Sequence, residues 1–280
     1  MESDNFKRLL ENTSEEYIGV GNPDAKILII ANEPGIDIDK DNKANEPGID
    51  KDNKEQYDNE VARNHEMWNA VDKGDFPANY NTEYNPRFPY RGQLYTVYSK
   101  KNGRGEGGTS RTWYNYQKLI DCLRGVERGK RTPLDFHDFC FSTDFSSVCA
   151  KKSSEIDKYQ ELCEEREKSI VRRAGSDNNF FSEDFFQHFP IVIVASGHYI
   201  RQFKHIFNPK DLFGFEDYRS HDVEDDKGKK IGWINIHESG GESPKLLLHT
   251  KHFSSSISDK YITATANEII TFVRKYNITL

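Results

Sequence analysis

The chain has 280 residues, with 39 Lys and Arg against 46 Asp and Glu, for a formal net charge of −7. That acidic balance argues against sequence-blind wrapping of nucleic acid, which needs a broad basic surface, and leaves room only for a local basic groove. Hydrophobic residues make up 35% and charged residues 30%, so the core is lean and the connections are polar.

No apolar run approaches the roughly 18 residues of a membrane helix, and no apolar signal region stands behind the charges of Met1–Leu10. The expectation is a soluble, cytoplasmic protein, one domain over residues 1–280, with no membrane partner. Cys122, Cys140, Cys149 and Cys163 contain no C-x-x-C pair, so they read as reduced thiols, and neither a metal nor another cofactor is expected. Lys100, Lys101 and Arg104, then Arg124, Arg128, Lys130 and Arg131, are the candidate basic patches.

Four short apolar runs without polar alternation predict buried parallel strands at Lys26–Ile30, Asp138–Ser142, Pro190–Ala195 and Lys245–Leu248. Helical spacing falls between and after them, at Glu55–Val71, Ser110–Leu123, Ser154–Val171 and Asp259–Tyr276. Strands alternating with helices predict an α/β fold: a three-layer α/β/α sandwich with a four-stranded parallel sheet. Tyr218–Val223 and Ile231–Ile236 flank an Asp-Asp-Lys-Gly-Lys-Lys turn and predict a small added hairpin. Residues 72–108 form a long aromatic loop, of the kind that serves either as a binding loop or as a packed lid.

Ala31–Lys43 reads ANEPGIDIDKDNK, and Ala44–Lys54 repeats it as ANEPGIDKDNK, less one Ile-Asp. A repeat this short is a tandem duplication rather than a solenoid. Only the first copy follows a strand directly, so residues 44–54 are expected to be a loop insertion.

Ligands in open α/β sheets bind at the carboxyl ends of the strands. Those ends carry Asn32-Glu33-Pro34-Gly35, Ser142-Thr143-Asp144, Ser196-Gly197-His198 and His249-Thr250-Lys251-His252-Phe253-Ser254. A carboxylate and an imidazole at two strand mouths can act as base and hydrogen-bond donor. Pro34-Gly35 favours a tight turn that aims backbone N–H groups at a ring or anion. Singly, a Glu before Pro is ordinarily a turn residue, and a strand-end His is ordinarily structural.

Taken together, these segments resemble the uracil-DNA glycosylase superfamily. Gly21-Asn22-Pro23, Ala25–Ile30 and Asn32-Glu33-Pro34-Gly35 are similar to its first motif, and His249–Ser254 to its His-Pro-Ser-x-Leu-Ser motif. Thr112–Lys118 is similar to its Ser-Leu-x-Asn-x-x-Lys segment.

The resemblance implies Glu33 and His249 as catalytic residues: Glu33 steadies the sugar cation and orients water, while His249 hydrogen-bonds the departing base. It implies Asn32, Pro34, Gly35, Ser142, Thr143 and Asp144 around the base. DNA would be held in a local groove by Thr112, Lys251 and Ser254, with Phe253 as the wedge that fills the vacated stack. The implied activity is hydrolysis of the N-glycosidic bond of uracil or another deaminated base in DNA. Members that recognise uracil carry an Asn where this chain has Ser142-Thr143-Asp144. A second reading therefore keeps the fold without catalysis, as a binder of a nucleotide-like ligand or a protein partner.

Overall fold

The structure is a computed structural model that describes residues 4–13, 16–32, 64–71, 85–88, 111–127, 133–148, 157–175, 178–215, 218–254 and 257–280. Its strands are β1 (Val20–Gly21), β2 (Ile27–Ala31), β3 (Phe141–Asp144), β4 (Ile191–Val194), β5 (Arg219–Glu224), β6 (Lys230–Ser239) and β7 (Lys245–His249). The helices that matter most for the site are α1 (Asp4–Asn12), α2 (residues 64–71), α3 (Arg111–Arg124), α4 (Gln160–Ile170) and the terminal helix Asp259–Tyr276.

The strands form one sheet in the order β1-β3-β2-β4-β7-β6-β5. Its centre, β3-β2-β4-β7, is parallel, and this is the alternating α/β pattern legible in the sequence. The sheet as a whole is mixed and seven-stranded, which corrects the expected four-stranded parallel one. Two features account for the difference. β1 has two residues and joins the edge antiparallel to β3. The hairpin also does not stand apart, because β6 is ten residues long: its first part pairs β5 and its last five residues, Asn235–Ser239, pair β7.

β3 begins three residues later than predicted. Phe136–Asp138 forms a 3-10 turn, and the polar string Ser-Thr-Asp enters the sheet. Buried hydroxyls are tolerated there because each finds a partner: Ser142 Oγ donates to the Val20 carbonyl at 3.3 Å, and Thr143 Oγ1 accepts from Arg173 at 2.9 Å.

Ile27, Ile29, Ile191, Ile193, Leu246 and Leu248 point into one apolar cluster with Tyr116, Leu119 and Ile120 of α3 and Tyr261, Ile262 and Ile269 of the terminal helix. Leu28, Ile30, Val192, Val194 and Leu247 point the other way, into a cluster with Phe6 and Leu9 of α1 and Trp68 of α2. This two-sided burial explains why the central strands lack polar alternation. The second cluster is filled largely by rings, including Phe180, Phe181, Phe185, Phe186 and Phe189. The expected helix Ser154–Val171 is described as Gln160–Ile170, continued by a π-helical turn at Val171–Gly175.

Candidate functional site at the carboxyl ends of the strands

From β2 the chain runs to β3 on one side, while from β4 it continues toward β7 on the other. Such a reversal opens a crevice outside the carboxyl ends of the two adjacent strands. Ile30 and Val194 are paired in register there. Two residues beyond each stand Asn32 and Ser196, and Asn32 Oδ1 and Ser196 Oγ are both buried without a hydrogen-bond partner among the described residues. Leaving such an atom unmade costs about 1–3 kcal/mol, which a ligand bringing complementary groups would recover.

β7 delivers His249 to the same edge, paired with Val194 of β4. Its Nε2 lies 2.8 Å from the Gly197 carbonyl. A carbonyl only accepts, so Nε2 carries the proton and Nδ1 presents a lone pair. Burial pushes the His249 pKa down to about 4, and the nearby His237, Arg201 and His198 add to the effect, so the ring is neutral at pH 7. The loop around it is stitched to β4: the Thr250 amide donates to Val194 at 2.9 Å and the Gly197 amide to Thr250 at 2.8 Å. Gly197 has a φ of +59°, which a glycine adopts freely.

The other expected residues divide clearly. Asn115 of α3 donates from Nδ2 to the Phe253 carbonyl at 2.7 Å, so the segments Thr112–Lys118 and His249–Ser254 do meet, with Thr112 in the first turn of α3. Phe253, however, is 0% exposed and packs on Tyr116 with ring centroids 5.2 Å apart. It is a core residue here and not a wedge, because the side chain turns inward to complete the cluster between the sheet and the two helices. Lys251 Nζ donates to the Ile231 carbonyl at 2.7 Å, and Ser254 Oγ bonds His252 Nδ1 at 2.5 Å. Lys251 and Ser254, two of the three residues expected to hold DNA, are therefore engaged within the protein.

Ser142 and Thr143 lie inside β3 rather than at its mouth, since the strand runs on to Asp144. The end of β3 is gripped by Arg173, whose side chain is 0% exposed. Arg173 Nε donates to the Asp144 carbonyl at 3.0 Å, Nη1 to Glu16 at 3.1 Å and to the Tyr17 carbonyl at 3.0 Å, and its guanidinium lies 3.9 Å over Phe180. Burial pushes the Glu16 carboxyl up, but Arg173, Arg172 and Ser147 outweigh it and hold the pKa below the ordinary value. Glu33, Pro34, Gly35, the loop insertion 44–54 and most of the aromatic loop 72–108 lie outside the described residues.

Two residues at the edge of this region went unrecognised in the sequence: Arg173, and Trp233, whose indole lies 4.8 Å from the His249 ring, centroid to centroid. Arg173 sits in an unremarkable charged stretch, and its role shows only through the π-helical turn that carries it. Trp233 is the one aromatic in β6 and gives no motif. Among the described residues, no group of three or more His, Cys, Asp or Glu could hold a metal ion, and no helix is long and apolar enough to cross a membrane. No family model matches the chain, and no curated protein or solved structure matches it significantly.

Proposed function

We propose that this chain is a three-layer α/β/α sandwich of the uracil-DNA glycosylase type that takes a nucleobase from DNA into the β2–β4–β7 crevice and hydrolyses its N-glycosidic bond. The observation that carries the reading is the neutral His249 beside two buried oxygens that have no partner among the described residues, at the reversal of strand order. Asn32 Oδ1 is an acceptor awaiting an N–H, and Ser196 Oγ can give or accept; a deaminated base offers both N–H and C=O groups on one edge.

In this reading, negative charge develops on the departing base and positive charge on the sugar. The Glu33 carboxylate offsets the cation and orients the attacking water. His249 Nε2–H exchanges the Gly197 carbonyl for an oxygen of the base, and its neutrality keeps it from giving up the proton. DNA is held locally, consistent with the net charge of −7.

A second reading, a non-catalytic member of the fold that binds a nucleotide-like ligand, is favoured by two facts: the His249 donor is already engaged, and Phe253 is committed to the core. The test is incubation with labelled single- and double-stranded DNA carrying uracil, hypoxanthine or xanthine, beside Glu33→Gln. Alkali-sensitive breaks with the wild-type protein that vanish in the variant are expected. Their absence on every substrate at enzyme excess overturns the hydrolytic reading in favour of the second.

A further inference from the structure

The hairpin that extends the sheet brings Trp233 beside His249, at the carboxyl end of β7. Along β6, Ile234 and Ile236 face the cluster beneath the terminal helix, so Trp233 faces the opposite side, where His249 stands. The indole and the His249 ring meet edge to face with centroids 4.8 Å apart, and the exposed His198 ring lies 5.6 Å from the indole on the β4 side.

Three devices fix Trp233 in this place. The Tyr261 hydroxyl donates to the Trp233 carbonyl at 2.7 Å and accepts from the Lys251 amide at 2.9 Å, tying β6 to the loop after His249. Lys251 Nζ closes the same junction on the Ile231 carbonyl at 2.7 Å. Gly232 lets the Tyr261 ring approach, because a Cβ there would stand 2.4 Å from it. A partly buried tryptophan pinned through its backbone, with one imidazole ordered beside it and another exposed at its flank, is a rigid wall for a planar ring.

We propose that Trp233 and His198 form a stacking wall for the planar heterocycle of the ligand, so that the hairpin is part of the binding site. The inference rests on the nucleobase reading above and adds to it a wall that selects rings by their π-face, while Asn32, Ser196 and His249 read their edge. It does not require hydrolysis.

The experiment titrates deoxyuridine and deoxyinosine into the protein, with deoxyribose as the ringless control, following tryptophan fluorescence and calorimetry in parallel. Of the three tryptophans, Trp68 is fully buried and Trp113 is stacked on Phe136 with centroids 5.4 Å apart, so the part of the quenching that Trp233→Phe removes is assigned to Trp233. Quenching by the nucleosides but not by deoxyribose is expected, and Trp233→Phe should abolish it with binding largely kept. Trp233→Ala should weaken binding by about tenfold or more, the scale of one stacked base, and His198→Ala by a smaller factor. Because His198 is exposed, its variant also guards against a folding artefact at Trp233.

Equal affinity in wild type, Trp233→Ala and His198→Ala, or no nucleoside binding by the wild type, overturns the inference. Failure of base excision with Trp233-dependent binding intact would remove the hydrolytic reading alone. Excision with unaltered affinity in Trp233→Ala would remove the stacking wall alone.

Discussion

The two sides of the strand mouths are built on opposite principles. At β3, Arg173 satisfies Thr143, Asp144, Tyr17 and Glu16 at once, and every one of those bonds stays within the protein. At β2 and β4, by contrast, Asn32 and Ser196 hold buried oxygens with no partner among the described residues, beside a neutral histidine and a partly buried tryptophan. A saturated network rigidifies, and an unsatisfied one invites a ligand. In the proposed reading the β3 side is the frame and the β2–β4–β7 side the receptor, although the sequence places polar residues at both.

The largest way to break this contrast is at Arg173. Glu16→Gln leaves Arg173, whose side chain is 0% exposed, without its carboxylate, and loss of about 3–5 kcal/mol in urea unfolding is expected, the scale for orphaning one member of a buried pair. Glu16→Gln with Arg173→Met should lose less than the two single changes added together, because the double variant leaves no lone charge. Additive losses would show that the pair is not a unit.

A loss of about 3 kcal/mol is expected for Phe253→Ala, a large cavity in the core cluster, read as a lower melting temperature without DNA present. An unchanged melting temperature with impaired DNA handling would instead return Phe253 to the role of wedge.

The smallest effect concerns pH. His249 is held at about 4 in the folded protein against about 6.5 free, so below pH 6.5 the unfolded chain binds the proton first. The stability associated with this ring is full above about pH 6.5 and is lost as the pH falls toward 4. Glu16, with its lowered pKa, pulls in the same direction at more acid pH. Urea unfolding between pH 7 and 4.5 should therefore show a decline that is shallower in His249→Gln, by about 1–3 kcal/mol at most. Parallel curves would mean that the imidazole is not desolvated as described.

How much of this was legible in the sequence follows from the physics of each element. Three of the four parallel strands were readable because Ile27–Ile30, Ile191–Val194 and Leu246–Leu248 bury both faces and so run apolar without interruption. The terminal helix Asp259–Tyr276 was readable to the residue: Ser258 caps it by accepting from the Tyr261 amide, and Asn277 ends it in the left-handed conformation.

β3 was misplaced because its hydroxyls are satisfied by residues far along the chain, Val20 and Arg173, which no local pattern announces. The inward turn of Phe253 was likewise invisible, since its partners Tyr116 and Asn115 come from another helix. His249 and Asn32 stand at or just beyond strand ends, as the sequence placed them; Trp233 escaped because it comes beside His249 from an antiparallel strand that enters from the other direction.

The measurement that bears most directly on the receptor side is nitrogen-resolved NMR of histidine-labelled protein, with His249→Gln used to assign the ring. The account predicts that at pH 7 His249 is neutral with its proton on Nε2, and that deoxyuridine or deoxyinosine shifts both ring nitrogens while leaving the exposed His205 unmoved. A His249 ring that titrates near 6.5, or that ignores saturating nucleoside, would contradict the placement of the site at the β2–β4–β7 crevice.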